Sequence, residues 1–134
     1  MLLTVRDESP AGQSLYEMSL EFLSKRISVR DLIRERVHHE VREFNRKQDN
    51  VTFNGLVQPS DAEQELNGHR PSYRLKTHRS LDWEAQFALA TESFERNGFF
   101  ILIDDKQAES LDQQFVIGPT TNVTFVKLVP LVGG

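Results

Sequence analysis

The sequence predicts an α+β fold in which a sheet packs on one helix. Three observations carry that expectation. Apolar residues alternate along residues 15–23, with Tyr16, Met18, Leu20 and Phe22 on one face and Glu17, Ser19 and Glu21 on the other, the period of a strand with one wet side. From Val29 the apolar positions change to helical spacing, through Leu32, Ile33, Val37, Val41 and Phe44. Dense apolar and β-branched runs return at residues 99–103 and 123–129, as further strands.

In chain order, residues 2–7 read as a first strand. The cluster Glu8-Ser9-Pro10-Ala11-Gly12 then turns the chain, so the first two strands form a hairpin. Ser28, with Asp31 three residues on, is a weak capping box that starts a helix over residues 29–45. Glu43 and Lys47, four apart, are expected to support its last turn. Between Arg46 and Arg79 periodicity fails and turn signals recur: Gln48-Asp49-Asn50, Asn54-Gly55, Pro59-Ser60, Asn67-Gly68 and Pro71-Ser72. Such a stretch is too long for an ordinary connection, so it reads as a mobile segment or a functional insertion, with Asn54-Gly55 suited to closing a small hairpin. Ser80 is expected to cap a second helix, over about residues 81–97, whose Trp83, Phe87, Ala90 and Phe94 share a face and which Gly98 ends in a left-handed conformation. Asp104-Asp105 turns the chain, Val116-Ile117 forms a short piece, and Pro130 closes the last strand because it has no N–H to give a ladder.

A chain of 134 residues can bury one real core, so a single domain over residues 1–134 is expected, with an insertion over residues 46–98. Hydrophobic residues at 38% and charged residues at 27% fit a soluble globular protein. The net charge of −4 argues against nucleic acid as the main partner. Cysteine is absent, which removes disulfides, thiolate metal sites and a thiol nucleophile together. The apolar run Leu2-Leu3-Thr4-Val5 is far too short for a signal or a membrane span, so the expected location is cytoplasmic.

Several side-chain groups invite chemistry and have simpler readings. His38-His39-Glu40 lacks the spacing that puts two imidazoles on one helical face, so a solvated face is expected there and no metal. Asp104-Asp105 fits a turn better than a carboxylate pair. Arg26, Arg30, Arg34 and Arg42 have glutamates among them and read as a mixed solvated face. Trp83, Phe87 and Phe94 read as core, with a partner groove as the alternative. No phosphate loop, nucleophile elbow or Cys/His pair occurs; no catalytic residue is assigned, and the chain is expected not to be an enzyme or to hold a cofactor of its own.

The sequence finishes on a strand, Pro130, then Leu131, Val132, Gly133 and Gly134. Two residues without Cβ let a chain end enter a channel too narrow for side chains. This end resembles that of the ubiquitin-like proteins and of the small sulfur carriers of thiamin and molybdopterin synthesis. Residues 101–134 lie on ubiquitin's C-terminal half without a gap, sharing the strand, the turn followed by Lys106-Gln107, and the final glycines. The order of elements is that of the ubiquitin-like β-grasp, and the resemblance implies that the first and last strands pair in parallel, giving a mixed sheet packed on one helix. The helix-containing insertion after the main helix departs from ubiquitin, which has a short link there.

The resemblance also implies a function. In that family an ATP-using activating enzyme adenylates the terminal carboxylate, here Gly134 with Gly133 as its steric companion, while Leu131 and Val132 sit in the enzyme's subsites. The expected role is a bacterial-type ubiquitin-like modifier, joined to a target amine by an isopeptide bond, with a conjugating enzyme and a deconjugating protease as further partners. Lys106, at the position of ubiquitin's turn lysine, is a candidate acceptor for a second copy. Two alternatives stand beside this: a sulfur carrier with a C-terminal thiocarboxylate, and a β-grasp interaction module that is never conjugated. In all of them residues 130–134 form a flexible tail in the free protein.

Overall fold

Ser28 decides where the principal helix begins. Its hydroxyl accepts from the Asp31 amide at 3.0 Å and its own amide donates to the Asp31 carboxylate at 3.0 Å, so the capping box is complete. Helix α1 (Val29–Arg46) follows, and Val29, Leu32, Ile33, Val37, Val41 and Phe44 are all buried. Each such side chain contributes about 1.5–3 kcal/mol relative to exposure. The computed structural model describes residues 1–47, 52–60, 62–67, 70–75 and 79–128.

The stripe of α1 packs on an α+β core whose main sheet is mixed. Strand β1 (Leu2–Glu8) pairs antiparallel with β2 (Ser14–Glu21), after the turn in which Gly12 takes φ +85° and donates to the Ser9 carbonyl at 2.9 Å. Short strand β3 (Arg26–Ser28) leads into α1. Between the helices lie β4 (Thr52–Phe53), β5 (Ala62–Asn67) and β6 (Arg70–Leu75), and α2 (Trp83–Glu95) follows. The chain then forms β7 (Phe99–Ile103), β8 (Lys106–Gln107), β9 (Gln114–Val116) and β10 (Val123–Lys127). The five-stranded sheet has the order β2-β1-β10-β7-β8, with β10 parallel to β1 and antiparallel to β7. Strand β10 is therefore central, and the first strand and the last described one are neighbours.

Asp104 and Asp105 both take positive φ, 49° and 68°, in the two-residue turn between β7 and β8. That turn matches the twist of the strands it joins, and aspartate tolerates the left-handed region. The Asp104 carboxylate also accepts from the Asn122 amide at 2.8 Å, holding the approach to β10.

Several expectations are corrected. Among the described residues between the helices, β4, β6 and β5 form a three-stranded antiparallel sheet where loop is expected. Asn54-Gly55 closes no hairpin, because β4 pairs with distant β6; the hairpin lies between β5 and β6. Asp82, not Ser80, caps α2, accepting from the Glu84 amide at 3.2 Å. Asn97, not Gly98, takes the left-handed position at the end of α2, with φ 61°. Gly98 donates to the Ser93 carbonyl at 2.8 Å, and a Cβ there would meet the Ser93 hydroxyl at 2.2 Å. The last turn of α1 carries Arg46 with Glu43 at 3.1 Å, while Lys47 is already the C-cap. On α2 the buried positions are Gln86, Ala90 and Phe94; Trp83 and Phe87 are half-buried on its flank, packed against the core. Strands β3 and β9, antiparallel partners, had no sequence expectation beyond Val116. The turn signals at Gln48-Asp49-Asn50 and Gly68 lie outside the described residues.

Candidate functional site

Strand β10 leads to the predicted tail. Val123, Phe125 and Lys127 are buried, and register fixes the strand on both sides: Val126 stands opposite Glu8 on β1 and Phe100 on β7. Leu128, 46% exposed, is the last described residue; Pro130 and the expected site residues Leu131, Val132, Gly133 and Gly134 lie outside the described residues. Leu128 is at the rim of a cleft of about 550 Å³ lined also by Leu56, Val57, Tyr73, Phe99 and Lys127. Lys106 is exposed on β8, directly after the turn.

Beneath this exit lies a group of charges that the sequence reading did not single out. On β1 the inward side chains are Leu3, Val5 and then Asp7; on β10 they are Val123, Phe125 and then Lys127. Arg36 and Glu40 lie four residues apart within the buried stripe of α1. The packing of α1 on the sheet brings the four together, and each is buried. The Arg36 guanidinium grips Asp7 with both terminal nitrogens, Nη1 to Oδ1 and Nη2 to Oδ2, the latter at 2.7 Å. Its Nε donates to Glu40 Oε1 at 2.8 Å, and its Cζ lies over the Phe125 ring, 4.5 Å from the centroid. Glu40 Oε2 accepts from the Leu56 amide at 2.7 Å, and Lys127 Nζ donates to the Gly55 carbonyl at 2.8 Å.

Two cations thus face two anions, as burial requires, because an unpaired charge in an apolar interior is expensive. Among the described residues no buried side-chain nitrogen or oxygen lacks a partner. Burial pushes the Glu40 carboxyl up from its usual range, against the pull of Arg36 and Lys127. For Arg36 burial acts the other way, but the Asp7 and Glu40 carboxylates outweigh it and hold the guanidinium above its ordinary value. Tyr73, beside them, is pushed up to about 12 by burial, with the Glu40 charge adding to it. Gly55 is required here: a Cβ would come within 2.0 Å of the Phe53 ring and 2.7 Å of Glu40 Oε2. Mechanically, the cluster ties β1, α1, β10 and the Gly55-Leu56 backbone into one body.

The expectation of a solvated face at His38-His39-Glu40 is therefore wrong for Glu40, which is 6% exposed. His38 is half-buried against Trp83, ring centroids 5.1 Å apart. Of the arginines on and before α1, Arg30 pairs with Asp112 at 2.6 Å, and Arg26, Arg34 and Arg42 are exposed. Among the described residues no group of three or more His, Asp or Glu side chains is placed to hold a metal, and no helix is long and apolar enough to cross a membrane. No protein-family model, curated protein or solved structure significantly matches the chain.

Proposed function

We propose that this chain is a ubiquitin-like β-grasp protein modifier, activated at the carboxylate of Gly134. The observation that carries the reading is the place of β10: parallel to β1, antiparallel to β7, at the centre of a sheet ordered β2-β1-β10-β7-β8 with α1 packed across it. That is the strand order of the β-grasp, in which the last strand delivers the chain end. Here the sequence beyond β10 continues to Gly133-Gly134. Residues 46–98, which include β4, β5, β6 and α2, are the insertion that would give partners a surface of its own.

The chemistry follows from the weakness of a carboxylate as an acyl donor. A Gly134 carboxylate oxygen attacks the α-phosphorus of ATP; the bond to pyrophosphate breaks and pyrophosphate leaves. The acyl-adenylate is then attacked by an enzyme thiol with loss of AMP, and the thioester by a target amine with return of the thiol. Gly133 and Gly134 keep the approach narrow, and Leu131 and Val132 set register in apolar subsites. The reaction requires a free α-carboxylate on Gly134. Incubating the protein with ATP and an extract of its host cells, followed by intact-mass measurement and a denaturing gel, tests the proposal. An ATP-dependent ladder of higher-mass adducts supports a modifier. A mass gain of sulfur for oxygen would show a sulfur carrier instead, and an unchanged protein an interaction module.

A further inference from the structure

The cleft at the end of β10, of about 550 Å³, lies where the loop after β4, the small sheet at Tyr73, the second half of α2 and the start of β7 come together. Its size is that of pockets that hold small molecules, which run from about 300 to 1,000 Å³. Leu56, Val57, Leu89, Phe99 and Leu128 give it apolar walls. The polar groups among them are nearly all spent. The Leu56 amide donates to Glu40 Oε2 at 2.7 Å, the Val57 carbonyl accepts from Gln86 Nε2 at 3.1 Å, and Gln58 Nε2 donates to the Ala62 carbonyl at 2.6 Å. The charges are matched too: Arg96 holds Glu92 at 2.6 Å, while Lys127 Nζ donates to the Gly55 carbonyl at 2.8 Å and is offset by the Glu40 carboxylate. A charged ligand therefore meets no unmatched charge in these walls. Gln64 is exposed and Ser93 half-buried, so both stay within reach of water.

Tyr73 is the exception. It is 6% exposed, and its hydroxyl makes no hydrogen bond among the described residues. Among those residues no buried side-chain oxygen lacks a partner, so the hydroxyl keeps open surface, and Tyr73 lines this cleft. Burial, with the Glu40 charge adding to it, pushes the phenol up to about 12, so at neutral pH it presents a proton and no charge. Once water leaves the cleft, that proton needs an acceptor. We propose that the cleft binds an uncharged small molecule, an apolar ring or chain bearing one carbonyl group, with the apolar part against Leu56, Leu89 and Phe99 and the carbonyl oxygen accepting from the Tyr73 hydroxyl. The inference holds whether or not Gly134 is activated.

Prodan, an uncharged naphthalene ketone, is the probe, because its emission moves to the blue in apolar surroundings and its carbonyl responds to a hydrogen bond. The full chain is titrated into a fixed trace of the dye, and saturable one-to-one binding is expected. Tyr73→Phe removes no hydrogen bond of the free protein among the described residues, so it should keep the melting temperature at neutral pH while weakening binding about twofold to tenfold. The same dye with its carbonyl reduced to a methylene should bind the parent and Tyr73→Phe alike. Leu23→Ser, at the fully exposed leucine after β2, should bind prodan as the parent does. The proposal is overturned if no saturable shift occurs up to millimolar protein, if Tyr73→Phe binds as tightly as the parent, or if Leu23→Ser weakens binding as much as Tyr73→Phe. It is equally overturned if a chain ending at Leu128 binds the dye much more tightly than the full chain, because the occupant of the cleft is then the chain's own end.

Discussion

Replacing Arg36 by methionine should be among the most damaging single changes in the protein. The side chain is 2% exposed, and its loss removes both hydrogen bonds to Asp7, the one to Glu40 and the cation–π contact with Phe125. Methionine refills much of the volume but leaves two buried carboxylates facing Lys127 alone. Breaking a buried pair in this way costs about 3–5 kcal/mol, out of a total stability of roughly 5–15 kcal/mol for an ordinary domain. For a chain of this length that is a fall of about 10–20 °C in melting temperature. Urea unfolding followed by circular dichroism gives the free energy, with the slope checked for two-state behaviour. A double variant, Arg36→Met with Asp7→Leu, should recover part of the loss, because it removes one of the two stranded charges. If Arg36→Met lies within about 1 kcal/mol of the parent, the guanidinium is not buried between those carboxylates and the reasoning fails.

Two other measurements test separate links. Ser28→Ala removes one half of the capping box and should cost about 1 kcal/mol in the same urea assay, with α1 keeping its length by circular dichroism; no loss would mean that the cap is replaced by water at no cost. Tyr73 is a test of burial by pH: its phenol ionises near 10 when unfolded and is pushed up to about 12 in the fold, so the native state keeps a proton that the unfolded state releases. The contribution is intact below pH 10 and is lost as pH rises to 12, a fall of about 2–3 kcal/mol that Tyr73→Phe should abolish.

What the sequence could and could not disclose follows from what each element leans on. The strand at 99–103, the capping box at Ser28 and the apolar stripe of α1 are local patterns, and local patterns survive in one dimension. Strand β5, with Glu63, Gln64 and Glu65, carries no alternation of apolar residues, so its pairing with β6 is set by tertiary contact and reads as loop. Strands β3 and β9 are three residues each, below the length at which a period can be seen. The charged cluster was legible in part: Asp7 and Lys127 hold inward parity in their strands, and Arg36 and Glu40 fall at helical spacing inside the buried stripe. Opposite charges at four inward positions are the signal of a buried network. That signal is weak in one dimension, because arginine and glutamate on a helix are usually solvated. The ends of α2 differ from expectation by one or two residues, since serine and aspartate both cap and asparagine shares glycine's tolerance of positive φ.

The central claim is that Gly134 is the reacting residue, and ATP–pyrophosphate exchange measures it most directly. The activating enzyme is first captured from host extract on the parent chain with ATP, and exchange is then followed with the parent, with Gly134 deleted, and with Gly133→Ala, melting temperatures being recorded alongside. The account predicts exchange with the parent, strong weakening by one methyl at residue 133, and none without Gly134, all at an unchanged melting temperature. Undiminished exchange by the Gly134 deletion would contradict it.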